Sequence, residues 1–216
     1  MEFLANLNQI LFPVRCISCS QLGETLCRAC KATWSLKIHL AQIARDREAI
    51  LTVRASLLYS PVVQKVLLGA KESGRKACDQ LISESITFGL KDFLSSESCD
   101  YLIPIPSRAS VARKRGRSFI EEICYQAASS FQIPIINPLI INRTVRDQSQ
   151  LGYGDRWNNL EGSMVVKAKS VVSGNVLLVD DLLTTGATLS EAARALRYAG
   201  FTVKGAVTAA LAQPVR

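Results

Sequence analysis

A chain of 216 residues has room for one large domain, or for one domain and a small module. Its 48% hydrophobic and 20% charged residues are ordinary for a globular protein, and no apolar run reaches the roughly 18 residues of a membrane-spanning helix. A net charge of +8 and a pI near 9.3 favour an anionic partner, nucleic acid or a phosphorylated substrate, without choosing between them.

The amino terminus is apolar, with Phe3, Leu7, Ile10 and Leu11 on one face of a short helix. It lacks a basic leader region and a small-residue cleavage site, so a cytoplasmic location is expected. Cys16-Ile-Ser-Cys19 and Cys27-Arg-Ala-Cys30 follow as two CxxC pairs, with Gly23 between them for a hairpin. Four thiolates brought to one centre suit a structural Zn²⁺ and leave no open coordination position for catalysis. The alternative is disulfides, which a reducing compartment disfavours. Cys78, Cys99 and Cys124 have no partner spacing and read as small apolar residues. His39 has no nucleophile pattern near it and reads as a linker residue.

The knuckle is expected over 1–34, a connector of helix then strand over 35–54, and the main domain over 55–216. In that domain Ala55 to Tyr59 opens a strand. A helix starts at Pro61 with Val62, Val66 and Leu67 on its buried side, and Lys71 to Arg75 breaks it. A second helix is expected near Ala77 to Leu94, and Asp100 to Pro106 reads as a strand ending in a rigid turn. Arg108, Arg113, Lys114, Arg115 and Arg117 then place five cations in ten residues. Such runs are often solvated surface, but guanidinium forks also match pyrophosphate oxygens. Phe119 to Ser130 reads as a helix and Leu139 to Asn142 as a strand. Arg143 to Leu151 and Asp155 to Leu160 form a polar segment of flap character. Gly152 and Gly154 do not make a dinucleotide fingerprint, because the third glycine and the preceding strand are missing.

The most informative stretch is Asn175 to Gly200. Val176 to Val179 is wholly apolar and fits a strand buried on both faces. From Thr188 onward, Leu189, Ala192, Ala193 and Leu196 repeat at helical spacing, and Gly200 stands where a left-handed cap is wanted. Asp180 to Ala187 is therefore expected as a strand-to-helix turn at the carboxyl end of a buried strand, the usual ligand position in open α/β sheets. The backbone N–H groups of Leu182, Leu183, Thr184, Thr185, Gly186, Ala187 and Thr188 lie at the positive end of the helix and suit a phosphate. Asp180 and Asp181 suit a ribose diol or a place near a divalent cation. A final strand over Phe201 to Leu211 is expected beside Val176 to Val179. No GxxxxGK[ST] partner exists for a nucleotide-hydrolase reading.

Val176 to Thr188, four apolar residues, two acidic ones and then TTGAT, resembles the phosphoribosyl pyrophosphate (PRPP) motif of type I phosphoribosyltransferases. The Pro-x-Pro turn, the Arg115-Gly116 step and the amino-terminal four-cysteine knuckle are similar to the ComF family of competence-associated proteins. In many ComF relatives Phe-Asn-Gln follows that glycine, where this chain has Arg117-Ser118-Phe119. The resemblance implies an α/β fold with a mostly parallel twisted sheet of the type I phosphoribosyltransferase kind and a small amino-terminal zinc knuckle. It implies transfer of phosphoribosyl from PRPP to an acceptor, with pyrophosphate released and Mg²⁺ bridging its oxygens. Asp180 and Asp181 would be the catalytic pair, Leu182 to Thr188 the phosphate turn, and Arg113, Arg115 and the flap residue Arg146 the pyrophosphate side. Cys16, Cys19, Cys27 and Cys30 would hold the zinc. The other expectation is a binding protein whose knuckle and basic run grip single-stranded DNA, alongside DNA-uptake proteins. No aromatic residue interleaves Arg108 to Arg117, which weakens a base-stacking channel.

Overall fold

The computed structural model describes residues 13–44, 49–142, 162–167 and 173–212. The expected helix at Phe3 to Leu11 and the polar flap with Arg146 lie outside these residues. The elements run α1 (Arg28–Ala32), β1 (His39–Ile43), β2 (Leu51–Leu58), α2 (Pro61–Ser73), α3 (Lys76–Ser96), β3 (Tyr101–Pro104), α4 (Ala109–Arg115) and α5 (Phe119–Ala128). They continue with β4 (Leu139–Ile141), β5 (Met164–Val166), β6 (Asn175–Leu183), α6 (Ala187–Tyr198) and β7 (Thr202–Leu211).

Five strands form one sheet in the order β1-β2-β7-β6-β3, parallel except for β1, and β4 pairs with β5 in a small antiparallel sheet. This is the expected α/β architecture, with β7 lying beside β6 as expected. The sheet is covered on both faces, so its central strands are apolar throughout rather than alternating. Along β6, Leu177 and Val179 enter one core layer and Val176 and Leu178 the other. The first layer takes α2, α3 and α5; the second takes α6, β1 and the β4–β5 sheet.

Local chemistry explains the helix limits. Ser60 caps α2 by accepting from the Val63 N–H at 3.2 Å, and Pro61 follows where its missing N–H costs nothing. Leu189, Ala192, Ala193 and Leu196 are all buried on α6, and Gly200 beyond its end has φ +89°.

Several boundaries differ from the sequence reading. The stretch 35–54 holds β1 and the start of β2 instead of a helix and strand, because Ala41, Ile43, Leu51 and Val53 bury into the sheet's second layer. Helix α2 continues through Ser73, so Lys71 and Glu72 are helical. The basic run is mostly a helix, and β6 runs on through both aspartates to Leu183.

The four cysteines form a hairpin knuckle bridged at Arg15 and Leu22. Cys16, Leu26, Cys27, Cys30 and Trp34 belong to the same buried layer as Val62, Val66 and Leu67 of α2. Lys65 on α2 donates to the Ser18 carbonyl, tying knuckle to helix. Among the described residues, no helix is long and apolar enough to cross a membrane.

Candidate functional site

Strand order creates a crevice. The chain leaves β3 toward α5, which packs in the first core layer, and leaves β6 toward α6, which packs in the second. Adjacent parallel strands whose continuations part to opposite faces leave a gap at their carboxyl ends. A cleft of about 520 Å³ lies there, bordered by Ile105 to Arg108 after β3, by Lys114 and Arg115 of α4, and by Asp180, Asp181 and Thr188. Lys71 and Glu72 of α2 close one side, and Ile141 of β4 and Met164 of β5 close another.

The two aspartates are adjacent in sequence but not alike. Burial and the neighbouring Asp181 charge raise the Asp180 carboxyl well above its ordinary range. Burial opposes ionisation of Asp181 as well, but the Lys71 ammonium outweighs it and holds that carboxyl below its ordinary range. The Asp181 N–H donates to Asp180 Oδ1 at 2.9 Å, which fixes the strand end between them.

The turn after β6 is shorter than expected. Leu182 and Leu183 still pair with Ala210 and Leu211 of β7, so the turn proper is Thr184 to Gly186. Among the described residues, the N–H groups of Thr184, Thr185 and Gly186 have no backbone acceptor, which suits an anion at the start of α6. Thr185 Oγ1 accepts from the Ala187 N–H at 3.3 Å and still has its own hydrogen to donate. Gly186 has φ +80°, and a β-carbon there would meet Ile43 of β1 at 2.6 Å. A side chain at this position is excluded by both strain and space.

The basic run divides into different jobs. Arg108, Lys114 and Arg115 border the cleft, whereas Arg113 is exposed and outside its lining. Arg115 pairs with Glu72 at 3.4 Å. Arg117 makes two 2.7 Å bonds to the buried Asp79 of α3, so it anchors the turn after α4 and does not face a cleft ligand. That pair lies in a wider groove of about 940 Å³ between α3 and α5, whose lining charges are mixed.

Sequence reasoning missed Lys71, which lies in no motif, and Glu191. Glu191 is buried on α6 and accepts from the Met164 N–H at 2.9 Å, while Arg194 pairs with it at 2.7 Å and donates to the Met164 carbonyl at 3.0 Å. Burial alone would raise the Glu191 carboxyl, but Arg194 and the Met164 N–H lower it. The pair clamps β5 against the helix and so fixes one wall of the cleft. A charged pair in the middle of a helix is the only sequence trace of this clamp.

The knuckle's four sulfurs all lie within 4.8 Å of one another, and Cys19 and Cys27 are 3.5 Å apart. Tetrahedral Zn–S bonds of about 2.3 Å imply S···S separations of roughly 3.8 Å, so the donor set could hold a metal ion. Burial works against ionisation of Cys16, but N–H groups of Cys19, Cys27 and Ser18 bring its thiol down to about 6, whereas burial and the neighbouring thiols push Cys30 up to about 12. Cys78 and Cys124 are buried as expected, and Cys99 is half-buried. Burial pushes Cys124 up to about 12 and Cys99 to about 11, which makes them poor nucleophiles. His39 opens β1 opposite Ala55, outside the cleft.

No family model matches the chain. Over 94 residues it is 35% identical to an adenine phosphoribosyltransferase of Polynucleobacter asymbioticus, a match covering 44% of this chain. The chain spans about half the length of that relative, 52% of it. Over that stretch it is similar to a phosphoribosyltransferase. Among solved structures it aligns with orotate phosphoribosyltransferase from Aeropyrum pernix, at a TM-score of 0.39 and 13% identity, covering 84% of this chain and 78% of that one. It also aligns with adenine phosphoribosyltransferase from Saccharomyces cerevisiae, at 0.40 and 11%, covering 85% and 86%. With the glutamine PRPP amidotransferase of B. subtilis the values are 0.42 and 20%, covering 75% and 34%.

Proposed function

We propose that the cleft binds PRPP and that the protein transfers its phosphoribosyl group to an acceptor nucleophile. The observation that carries this reading is that one cleft holds an acidic strand end, Thr188 of the first turn of α6 and four cations, with the open backbone turn Thr184 to Gly186 directly before that helix. A sugar bearing a 5-phosphate, a diol and a pyrophosphate presents the complementary groups in one molecule. Asp180 and Asp181 accept from the ribose hydroxyls, and Thr184 to Thr188 hold the 5-phosphate. Arg108, Lys114 and Arg115 take the pyrophosphate.

In the step itself the acceptor's electron pair forms a bond to the anomeric carbon as the bond to the pyrophosphate oxygen breaks. The leaving group departs with that bond's electrons, and the acceptor's proton passes to solvent. The carboxylates stabilise positive charge on the sugar, and the basic wall stabilises the negative charge leaving it. Mg²⁺, if bound with PRPP, would help neutralise the pyrophosphate oxygens. The knuckle cysteines Cys16, Cys19, Cys27 and Cys30 would hold a structural Zn²⁺, which the sulfur spacing supports. A four-cysteine knuckle joined to this sheet also supports the ComF reading and, through it, a role beside DNA uptake.

Calorimetric titration with PRPP and Mg²⁺, compared with ribose 5-phosphate and inorganic phosphate, tests the assignment. Asp180→Asn and Asp181→Asn each remove a charged acceptor, worth about 1.5–3 kcal/mol, and are expected to weaken PRPP roughly ten- to hundredfold. Inorganic phosphate should be nearly unaffected. Wild-type affinity for PRPP retained in both variants would show that the diol is not held there.

A further inference from the structure

Lys71 stands in the last turn of α2, more than a hundred residues from the motif it touches. Its ammonium pairs with Asp181 and lies 5.9 Å from the centre of the Phe119 ring. The next residue, Glu72, pairs with Arg115 at 3.4 Å. One helical turn therefore gives a cation to the acidic wall of the cleft and an anion to its basic wall. The charged groups around Asp181 are Asp180 on its own strand, Lys71 and Glu72 from α2, Lys114 and Arg115 from α4, and Arg108 before it.

Two neighbouring carboxylates at a buried strand end repel each other, and each is costly to ionise there. Asp181 is only 8% exposed, so without a counter-charge it would either take a proton or turn away, and it would lose its value as a fixed acceptor. We propose that Lys71 is a positioning residue of the cleft, which holds Asp181 in place as an ionised acceptor and leaves Asp180 to meet the ligand first. This rests on reading the cleft as the PRPP site. The Lys71 ammonium is a point charge without the fork of an arginine, so it neutralises Asp181 without occupying both carboxylate oxygens in a fixed plane.

The test is a double-mutant cycle read two ways. In PRPP titrations with Mg²⁺, Lys71→Met is expected to weaken binding about tenfold, and Lys71→Arg to recover to within about threefold of wild type. In an Asp181→Asn background, Lys71→Met should cost less than about twofold, because a neutral amide needs no counter-charge. A packing role for Lys71 would instead cost the same in both backgrounds. The second readout uses ligand-free protein: Lys71→Met lowers Tm by roughly 3–6 °C, and adding Asp181→Asn restores most of it. Equal losses in both backgrounds, in a protein that binds PRPP, overturn the positioning role alone. A wild type that does not bind PRPP overturns the site reading and the ligand half of this proposal. The melts still decide whether Lys71 holds Asp181.

Discussion

The four sulfurs of the knuckle come from fifteen consecutive residues, Cys16 to Cys30, whereas the cleft draws Lys71, Arg108, Arg115, Met164 and Asp181 from four separate parts of the chain. The knuckle's four sulfur donors lie within one hairpin, so its geometry follows from local turns. The cleft exists only because β3 and β6 lie side by side and their continuations part to opposite faces. Yet the knuckle is not self-standing. Cys16, Cys27 and Cys30 bury into the layer that supports α2, the helix that delivers Lys71 to the cleft. Ligand chemistry is local in one region and distributed in the other, while packing joins them.

The strongest way to break that contrast is to remove the knuckle's ligands. Cys16→Ser with Cys27→Ser is expected to abolish metal binding and lower Tm by more than about 10 °C, since a structural zinc site contributes directly to folding. Metal content and calorimetric melts check it. An intact Tm would mean that α2 and the core do not depend on the knuckle, despite their shared buried layer.

A smaller effect sharpens the comparison inside the basic run, where Arg115 and Arg117 differ by two positions but face different partners. Arg117→Met leaves the buried Asp79 without its guanidinium, a loss of about 3 kcal/mol that lowers Tm by roughly 6–12 °C. Arg115→Ala should change Tm little, because its partner Glu72 is exposed, and should weaken PRPP more than ribose 5-phosphate. Melts and titrations on the two variants separate the roles. Equal behaviour would show that the two arginines do the same work.

The smallest expected effect has an unusual sign. A carboxyl whose folded pKa is raised binds more protons in the folded state, so its cost to stability grows as pH rises from the ordinary carboxylate value toward its own. Asp180→Asn removes that cost. Ligand-free Asp180→Asn is therefore expected to be more stable than wild type by roughly 2–4 °C at pH 7.5, with the gap closing below about pH 4, even as it loses PRPP affinity. Melts across that pH range check the sign. A destabilised variant at pH 7.5 would mean that Asp180 is not under strain.

Much of this protein was legible from residues alone, and the reason is locality. The CxxC spacing, the apolar run of β6, the helical repeat of α6 and the turn glycine each depend on neighbours within a few residues. Periodicity and stereochemistry constrain such neighbours directly. The strand ends differ where tertiary pairing overrides local polarity: Asp180 to Leu183 look like a turn, but pairing with β7 keeps them extended. Likewise 35–54 reads as a connector until the sheet offers its edge to β1. What only the tertiary structure decided is which charges meet. Nothing in the sequence distinguishes Lys71 from other helical lysines, or Arg117 from the other cations of its run. Pairing across the fold is set by packing distances of a few ångströms, and the sequence separations of those partners carry no trace of it. The chemistry available to the site was written locally, and the assignment of its partners belongs to the fold.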